Sequence, residues 1–301
     1  MTKNETFTLT AELTGYISSE NPIFDYSAKD IKQIKKGFST EELEEYRAKG
    51  WLSDDFELFA VIYNFLKTLG VLQSADERYV TEVFKNAIKL GTAEFYNDPY
   101  IKNVKFQDVK KGNFLLTTAS YGRGELFLYD APDLYADIVV PKIAFFNGKV
   151  RFPTIYEGAM PWMSVCPSEI NSMRGQMESA FGNVLVLGMG LGYYQYVVSG
   201  KPNVKSVTVV EISSEIIEIF NDNILPHFPC SDKIKIINAD AIKFMDSVKP
   251  GEYDFIFADI WEGIVDGAPL YEAIKKHEQR LCGTQFTYWI DDQIRFYLEG
   301  E

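Results

Sequence analysis

From about residue 168 onward the sequence alternates between short apolar runs and helical stretches, and this alternation limits the fold more than any other feature. The runs are VLVLG (184–188), SVTVVEI (206–212), IKIINAD (234–240), YDFIFADI (253–260) and TQFTYWI (284–290). They lack the apolar–polar alternation of a half-solvated strand. Near-continuous apolar strands separated by helices predict a parallel sheet covered on both faces, a doubly wound Rossmann-like α/β fold. Helices are expected at 168–181, between the later runs, and near 270–281. Ligands of such sheets bind beyond the carboxyl ends of the strands, so the residues that close each run are the first place to look for chemistry.

The remainder of the 301 residues divides differently. Residues 1–102 read as helical: Ser39-x-x-Glu42 and Ser74-x-x-Glu77 fit capping boxes, and Phe56, Phe59, Ala60, Tyr63, Leu66 and Leu69 recur at helical spacing as a core face. Gly70 reads as a helix stop. The stretch YNFLKTLGVL resembles the helical part of winged-helix modules. Residues 103–160 read as a small antiparallel β unit, with SYGRG between two strand-like runs and a hairpin expected at Asn147-Gly148, because both positions of that turn tolerate positive φ. Residues 161–301 form the third expected region.

Charge and cysteine usage exclude several classes. Lys+Arg 30 against Asp+Glu 43 gives a net charge of −13, which repels phosphate polyanions and argues against nucleic acid as a partner. A cationic or neutral small substrate remains compatible. Cys166, Cys230 and Cys282 are widely spaced, no CxxC occurs, and His227 and His277 lie outside ligand-like spacing, so no metal is expected. Cys166 reads as an inert buried thiol. The opening MTKNETFTLT has no apolar signal core, and no run approaches the ~18 apolar residues of a membrane span. A cytoplasmic protein without a membrane partner is expected.

Two strand ends carry linked signals. The first run closes in Gly188-Met189-Gly190-Leu191-Gly192, where glycines permit a tight turn and a close approach to backbone. The second closes in Glu211, nineteen residues after Gly192, where a carboxylate can accept both hydroxyls of an adenosine ribose. The dinucleotide fingerprint GxGxxG would need glycine at 193, which is Tyr193, so NAD is disfavoured. No GxxxxGK[ST] is present, which excludes a P-loop.

With VLVLGMGLG, the acid of VVEI, Asp240-Ala241 and YDFIFADIWEG in this order and spacing, residues 168–290 resemble the class I S-adenosylmethionine-dependent methyltransferases. The resemblance implies that Gly188, Gly190 and Gly192 pass the methionine part of S-adenosylmethionine. It implies that Glu211, with Ile212 beside it, holds the ribose, and that Asp240 and the backbone of Ala241 face the adenine. Asp240 also suits a helix N-cap. Asp259 and Glu262, at the fourth strand end, are the candidate catalytic acids, as general base or as anchors of a cationic amine.

A narrower likeness is to aminopropyltransferases of the spermidine synthase type. Asp259-Ile-Trp-Glu262, the later Asp266-Gly-Ala-Pro-Leu-Tyr271, and the segment MPWMSVCPSEINSM (160–173) resemble stretches of that branch. The glycine turn lacks the Asp usual there, and the usual His near the preceding helix is missing. The expected function is therefore S-adenosylmethionine-dependent methyl transfer to a small-molecule acceptor. Aminopropyl transfer, or a non-catalytic nucleoside-binding protein of the same fold, are the alternatives. Trp261, Trp289, Asp291 and Asp292 are further substrate-side candidates, and Met163, Ser164 and Glu169 a candidate cover over the cofactor. Tyr193, Tyr194 and Tyr196 read as packing residues. Only DDQIRFYLEGE follows the fifth run. The sheet is then either five-stranded or completed by another segment or a second subunit, which leaves a homodimer open.

Overall fold

The computed structural model describes residues 1–135 and 137–300. Two compact units make up the chain: Met1–Asn97 with Ser120–Arg151, and Asp98–Ala119 with Phe152–Glu301. The division expected at 102 and 160 differs from this one, because residues 120–151 belong with the N-terminal helices. Twelve strands occur among the described residues: β1 Ile88–Leu90, β2 Val109–Lys111, β3 Phe114–Tyr121, β4 Phe127–Leu134, β5 Val139–Phe146, β6 Val150–Glu157, β7 Met160–Ser164, β8 Gly182–Leu187, β9 Val204–Glu211, β10 Ile234–Asn238, β11 Phe255–Ala258 and β12 Gln285–Tyr288.

In the first unit β5 pairs parallel with β1 and antiparallel with β4. Of the expected face, helix Phe56–Thr68 buries Phe59, Ala60 and Leu66, while Phe56, Tyr63 and Leu69 pack against the core partly buried; Val61, Ile62 and Phe65, outside that face, are buried too, and Gly70 follows in the left-handed conformation. Ser39 and Glu42 form the expected capping box. Ser74 does not. It ends a one-turn helix, Val71–Ser74, and Asp76 caps the next helix through the N–H of Arg78 (2.9 Å). A carboxylate two residues further on supplies the acceptor without a reciprocal box.

The Asn147-Gly148 turn also differs from expectation. It passes the chain from β5 to β6, which lie in different sheets, so no hairpin closes there. Asn147 instead donates its N–H to Leu90 O (3.0 Å) and accepts the Thr92 N–H on Oδ1 (3.1 Å), which fastens the turn to the chain after β1. SYGRG likewise separates β3 from β4 without pairing them, in sheets ordered β2-β3-β6-β7 and β1-β5-β4.

The second unit carries the sheet that positions the site. Its five strands run parallel in the order β10-β9-β8-β11-β12. Val184, Leu185, Val186 and Leu187 of the central β8 are buried, as a strand covered on both faces requires. The chain winds from β8 outward through β9 to β10, then returns to the other side of β8 for β11 and β12. The order reverses between β8 and β11, and such a switch point opens a crevice at the strand ends. Two short helices, Pro167–Ser172 and Arg174–Ser179, replace the single helix expected at 168–181, with the break at Met173. Helix Ile264–Lys275 starts earlier than expected and accommodates Pro269. Helix Asp291–Gly300 follows β12, so the sheet ends at five strands among the described residues. No helix of the described residues is long and apolar enough to cross a membrane.

Candidate active site

Gly188 sits at the switch point itself. Its N–H donates to Val210 O of β9 (2.9 Å), while the N–H of Asp259, just past β11, donates to Leu187 O (2.8 Å). These bonds draw three strand ends together. Gly188 has φ +96°, and a Cβ there would meet Asp259 O at 1.9 Å. Gly190 has φ +57°, and its Cβ would meet the Met163 sulfur at 2.4 Å. Gly188 is therefore demanded by the protein's own backbone, quite apart from any ligand, whereas at Gly190 the left-handed φ is the constraint, because the Met163 side-chain end can move aside. Gly192, also left-handed, caps the helix Tyr193–Ser199. Tyr194 of that helix stacks on Phe257 with centroids 4.2 Å apart, and Tyr193 donates to Asp98 Oδ2 (2.7 Å). These tyrosines pack, as the sequence suggested.

A cleft of about 630 Å³ opens over these strand ends. Glu211, at the end of β9, borders it although only 7% exposed. Its Oε2 accepts the Met189 N–H (3.1 Å) and its Oε1 the Ser213 N–H (2.8 Å). Burial raises its pKa above the ordinary carboxylate value, and these backbone donors pull it back. Glu211 thus ties the glycine turn to the start of the next helix as well as facing the cleft. Ile212 beside it borders the cleft and is 70% exposed. Asp240 caps helix Ala241–Ser247 through the N–H groups of Ile242 (2.9 Å) and Lys243 (3.3 Å). It also borders the cleft with Ala241, so the N-cap and the site position coincide.

Asp259 borders the cleft on the far side of the switch point. Burial, then the neighbouring charge of Glu169, pushes its carboxyl up to about 8. Glu169, in the helix that follows β7, is raised by burial alone. Glu262 is exposed, and its N–H donates to Asp266 Oδ2 (2.8 Å). Trp261 and Trp289 wall the cleft, and Trp289 Nε1 donates to Ser172 Oγ (2.8 Å). Asp291 and Asp292 do not border it; they pair with Arg295 on helix Asp291–Gly300. Six carboxylates line the cleft, from Glu169, Glu211, Asp240, Asp259, Glu262 and Asp266, and no Lys, Arg or His does so among the described residues. A wall of one sign favours a cation or a neutral group with hydrogen-bond donors.

One residue of this region had no signal in the sequence. Gln195 lies in the helix after the glycine turn, where its neighbours are packing residues. Its Nε2 donates to Met189 O (2.9 Å) and Gly188 O (3.4 Å), holding the turn from below. Nothing in the spacing distinguishes such a residue from a solvent-facing Gln.

Residues 167–277 match the sequence profile of the spermine/spermidine synthase domain. No curated protein matches the chain. The spermidine synthase of Thermotoga maritima aligns over 46% of this chain and 53% of its own, at 13% identity and a TM-score of 0.34. A spermidine synthase in complex with the transition-state analogue AdoDATO aligns over 46% and 52%, at 13% and 0.34. The 23S rRNA methyltransferase ErmE aligns over 39% and 44%, at 19% and 0.30. The aligned part of the chain spans about half the length of these structures or less. Profile match and sheet order agree: this region has a spermidine-synthase-like form of the class I methyltransferase fold.

Proposed function

We propose that the chain is an S-adenosylmethionine-dependent methyltransferase with a small-molecule acceptor. The observation that carries this reading is the single cleft bordered by Glu211, Asp240 and Ala241 on one side and by Asp259 and Glu262 on the other. Its volume falls in the range of about 300–1,000 Å³ usual for small-molecule sites. The donor set suits the cofactor. Ile212, Ala241 and Ile242 offer apolar flanks for a purine, Glu211 offers acceptors for a diol, and the acidic lining suits a sulfonium.

The bound cofactor would supply an electrophilic methyl carbon. In this reading the protein aligns the acceptor and manages its proton. Asp259 takes the proton, because its raised pKa lies close to neutrality, where a general base is most effective. Glu262 orients a cationic acceptor from the rim, and Trp261 and Trp289 exclude water. The spermidine-synthase profile supports aminopropyl transfer as the second reading. Calorimetry separates them: preference for S-adenosylmethionine over its decarboxylated form supports methyl transfer, and the reverse preference supports aminopropyl transfer. Tight NAD binding with no adenosyl-sulfur ligand bound would sink both.

Glu211 gives a sharper test. Losing a carboxylate from two ribose hydroxyls removes charge-assisted bonds of about 1.5–3 kcal/mol, an expected ~10–150-fold loss of S-adenosylhomocysteine affinity in Glu211→Ala. Because Glu211 also serves the N–H groups of Met189 and Ser213, the variant should melt lower as well. The 2′-deoxy analogue isolates the ribose contact. Wild type should bind it more weakly than the parent ligand, and the variant should bind both alike. Equal discrimination by both proteins would show that the ribose is held elsewhere.

A further inference from the structure

The strand order sets where each part of an adenosyl ligand would lie. Asp240 follows β10, Glu211 ends β9, Gly188 follows β8 and Asp259 follows β11, and these strands stand side by side in that order. With the purine against Ala241 and Ile242 and the ribose on Glu211, the 5′ substituent crosses the glycine turn on its way towards Asp259. That turn is a poor platform by itself. Gly188, Gly190 and Gly192 have φ of +96°, +57° and +76°. Glycine-rich backbone is conformationally free, and ordering it on binding costs affinity. Gly188 and Met189 border the cleft, and the whole turn borders a smaller cavity of about 40 Å³ lined also by Glu169, Gln195 and Asp259. With space on these sides, the shape of the turn has to be fixed from elsewhere.

Part of the hold comes from a residue 91 positions earlier. Helix Pro99–Asn103 carries Tyr100, which is fully buried and donates its hydroxyl to Leu191 O in the middle of the turn. Burial, then the charge of Asp98, raises the Tyr100 phenol above its ordinary value, so it stays a donor. The rings of Tyr193 and Tyr196 fix its ring, with centroids 5.3 and 5.4 Å away. Asp98 fixes its backbone: Oδ1 accepts the Tyr100 N–H (2.9 Å), while Oδ2 accepts the hydroxyl of Tyr193 (2.7 Å). One carboxylate thus ties the helix that carries the donor to the helix that leaves the turn. Tyr100 borders neither the cleft nor the smaller cavity, so it reaches a ligand only through the turn. Asn103 makes a separate clasp on the same outgoing helix, donating to Tyr196 Oη (2.7 Å) away from the turn.

We propose that Tyr100 is a positioning residue for the cofactor: it pre-forms the glycine turn and so sets the affinity for the tail that the ligand carries on its 5′ sulfur. The proposal deepens the adenosyl-transferase reading and rests on it for the identity of the ligand.

The test compares S-adenosylhomocysteine with 5′-methylthioadenosine, which has no amino-acid tail, on wild type, Tyr100→Phe and Asn103→Ala, by calorimetry on the full chain. Tyr100→Phe keeps the ring and its packing and removes one donor. It should bind S-adenosylhomocysteine roughly 3–10-fold more weakly, the worth of one hydrogen bond, and bind 5′-methylthioadenosine as wild type does. Asn103→Ala loosens the same helix elsewhere and should leave the ratio of the two affinities unchanged. An unchanged ratio in Tyr100→Phe, or an equal change of ratio in both variants, overturns the proposal. If wild type binds neither nucleoside, the adenosyl reading fails, and hydrogen exchange on ligand-free protein decides whether Tyr100 holds the turn. The amides of residues 188–192 should then exchange faster in Tyr100→Phe than in Asn103→Ala, and equal exchange overturns that hold as well. Should Tyr100→Phe fail to fold, wild type carries the test alone: a pre-formed turn keeps residues 188–192 protected without ligand, and free exchange there overturns the proposal.

Discussion

Gly188→Ala is expected to destabilise the protein by roughly 2–5 kcal/mol, from ~1–2 for a side chain held at positive φ and ~1–3 for overpacking. The added methyl would lie 1.9 Å from a backbone oxygen, Asp259 O, which cannot swing aside as a side-chain end would. Moving it disturbs the Asp259 N–H bond to Leu187 O, and moving Gly188 disturbs its own bond to Val210 O. Urea denaturation of both proteins measures the loss. Gly251→Ala separates the two causes: it has a similar φ of +78° with nothing within 4 Å, so it should cost only the backbone part, ~1–2 kcal/mol. Equal losses at the two positions would mean that the strand ends yield easily and that the switch point is not rigid.

Asp259→Asn should lower turnover by about 10²–10⁴-fold, the usual contribution of a general base, with cofactor affinity changed only a few-fold. Its pH behaviour follows from the raised pKa of about 8. The base form gains population as pH rises towards 8, so kcat/KM of wild type should climb with pH and level off above that value. The stability effect has the opposite sense. The folded pKa lies above the unfolded one, so the contribution of this group is complete below the unfolded value near 4 and is lost as pH rises through about 8. Wild type should therefore lose stability from pH 5 to pH 8 relative to Asp259→Asn, as read by urea midpoints at both pH values. Parallel midpoints for the two proteins would show that Asp259 does not titrate in this range.

What the sequence determined by itself is the sheet and its strand ends. Apolar runs closed by Gly188, Glu211, Asp240 and Asp259 are local patterns, and parallel pairing places the ends of successive strands on one edge. That is why residues chosen from separate motifs border one cleft. Asp240 was legible twice over, since an N-cap and a cleft position fall together at the start of a helix. Only the tertiary structure decided the rest. Asn147-Gly148 has hairpin chemistry, but β5 pairs with β1 and β4, so the turn joins two sheets. Local turn preference cannot see a distant competing strand. Glu211 proved to be a clamp on Met189 and Ser213 as well as a cleft acid, because two loops converge on it. The meeting of Glu169, Gln195 and Asp259 around one small cavity had no sequence signal. The three lie far apart in the chain on different elements, and periodicity reports which face a residue takes, not which distant residue it meets.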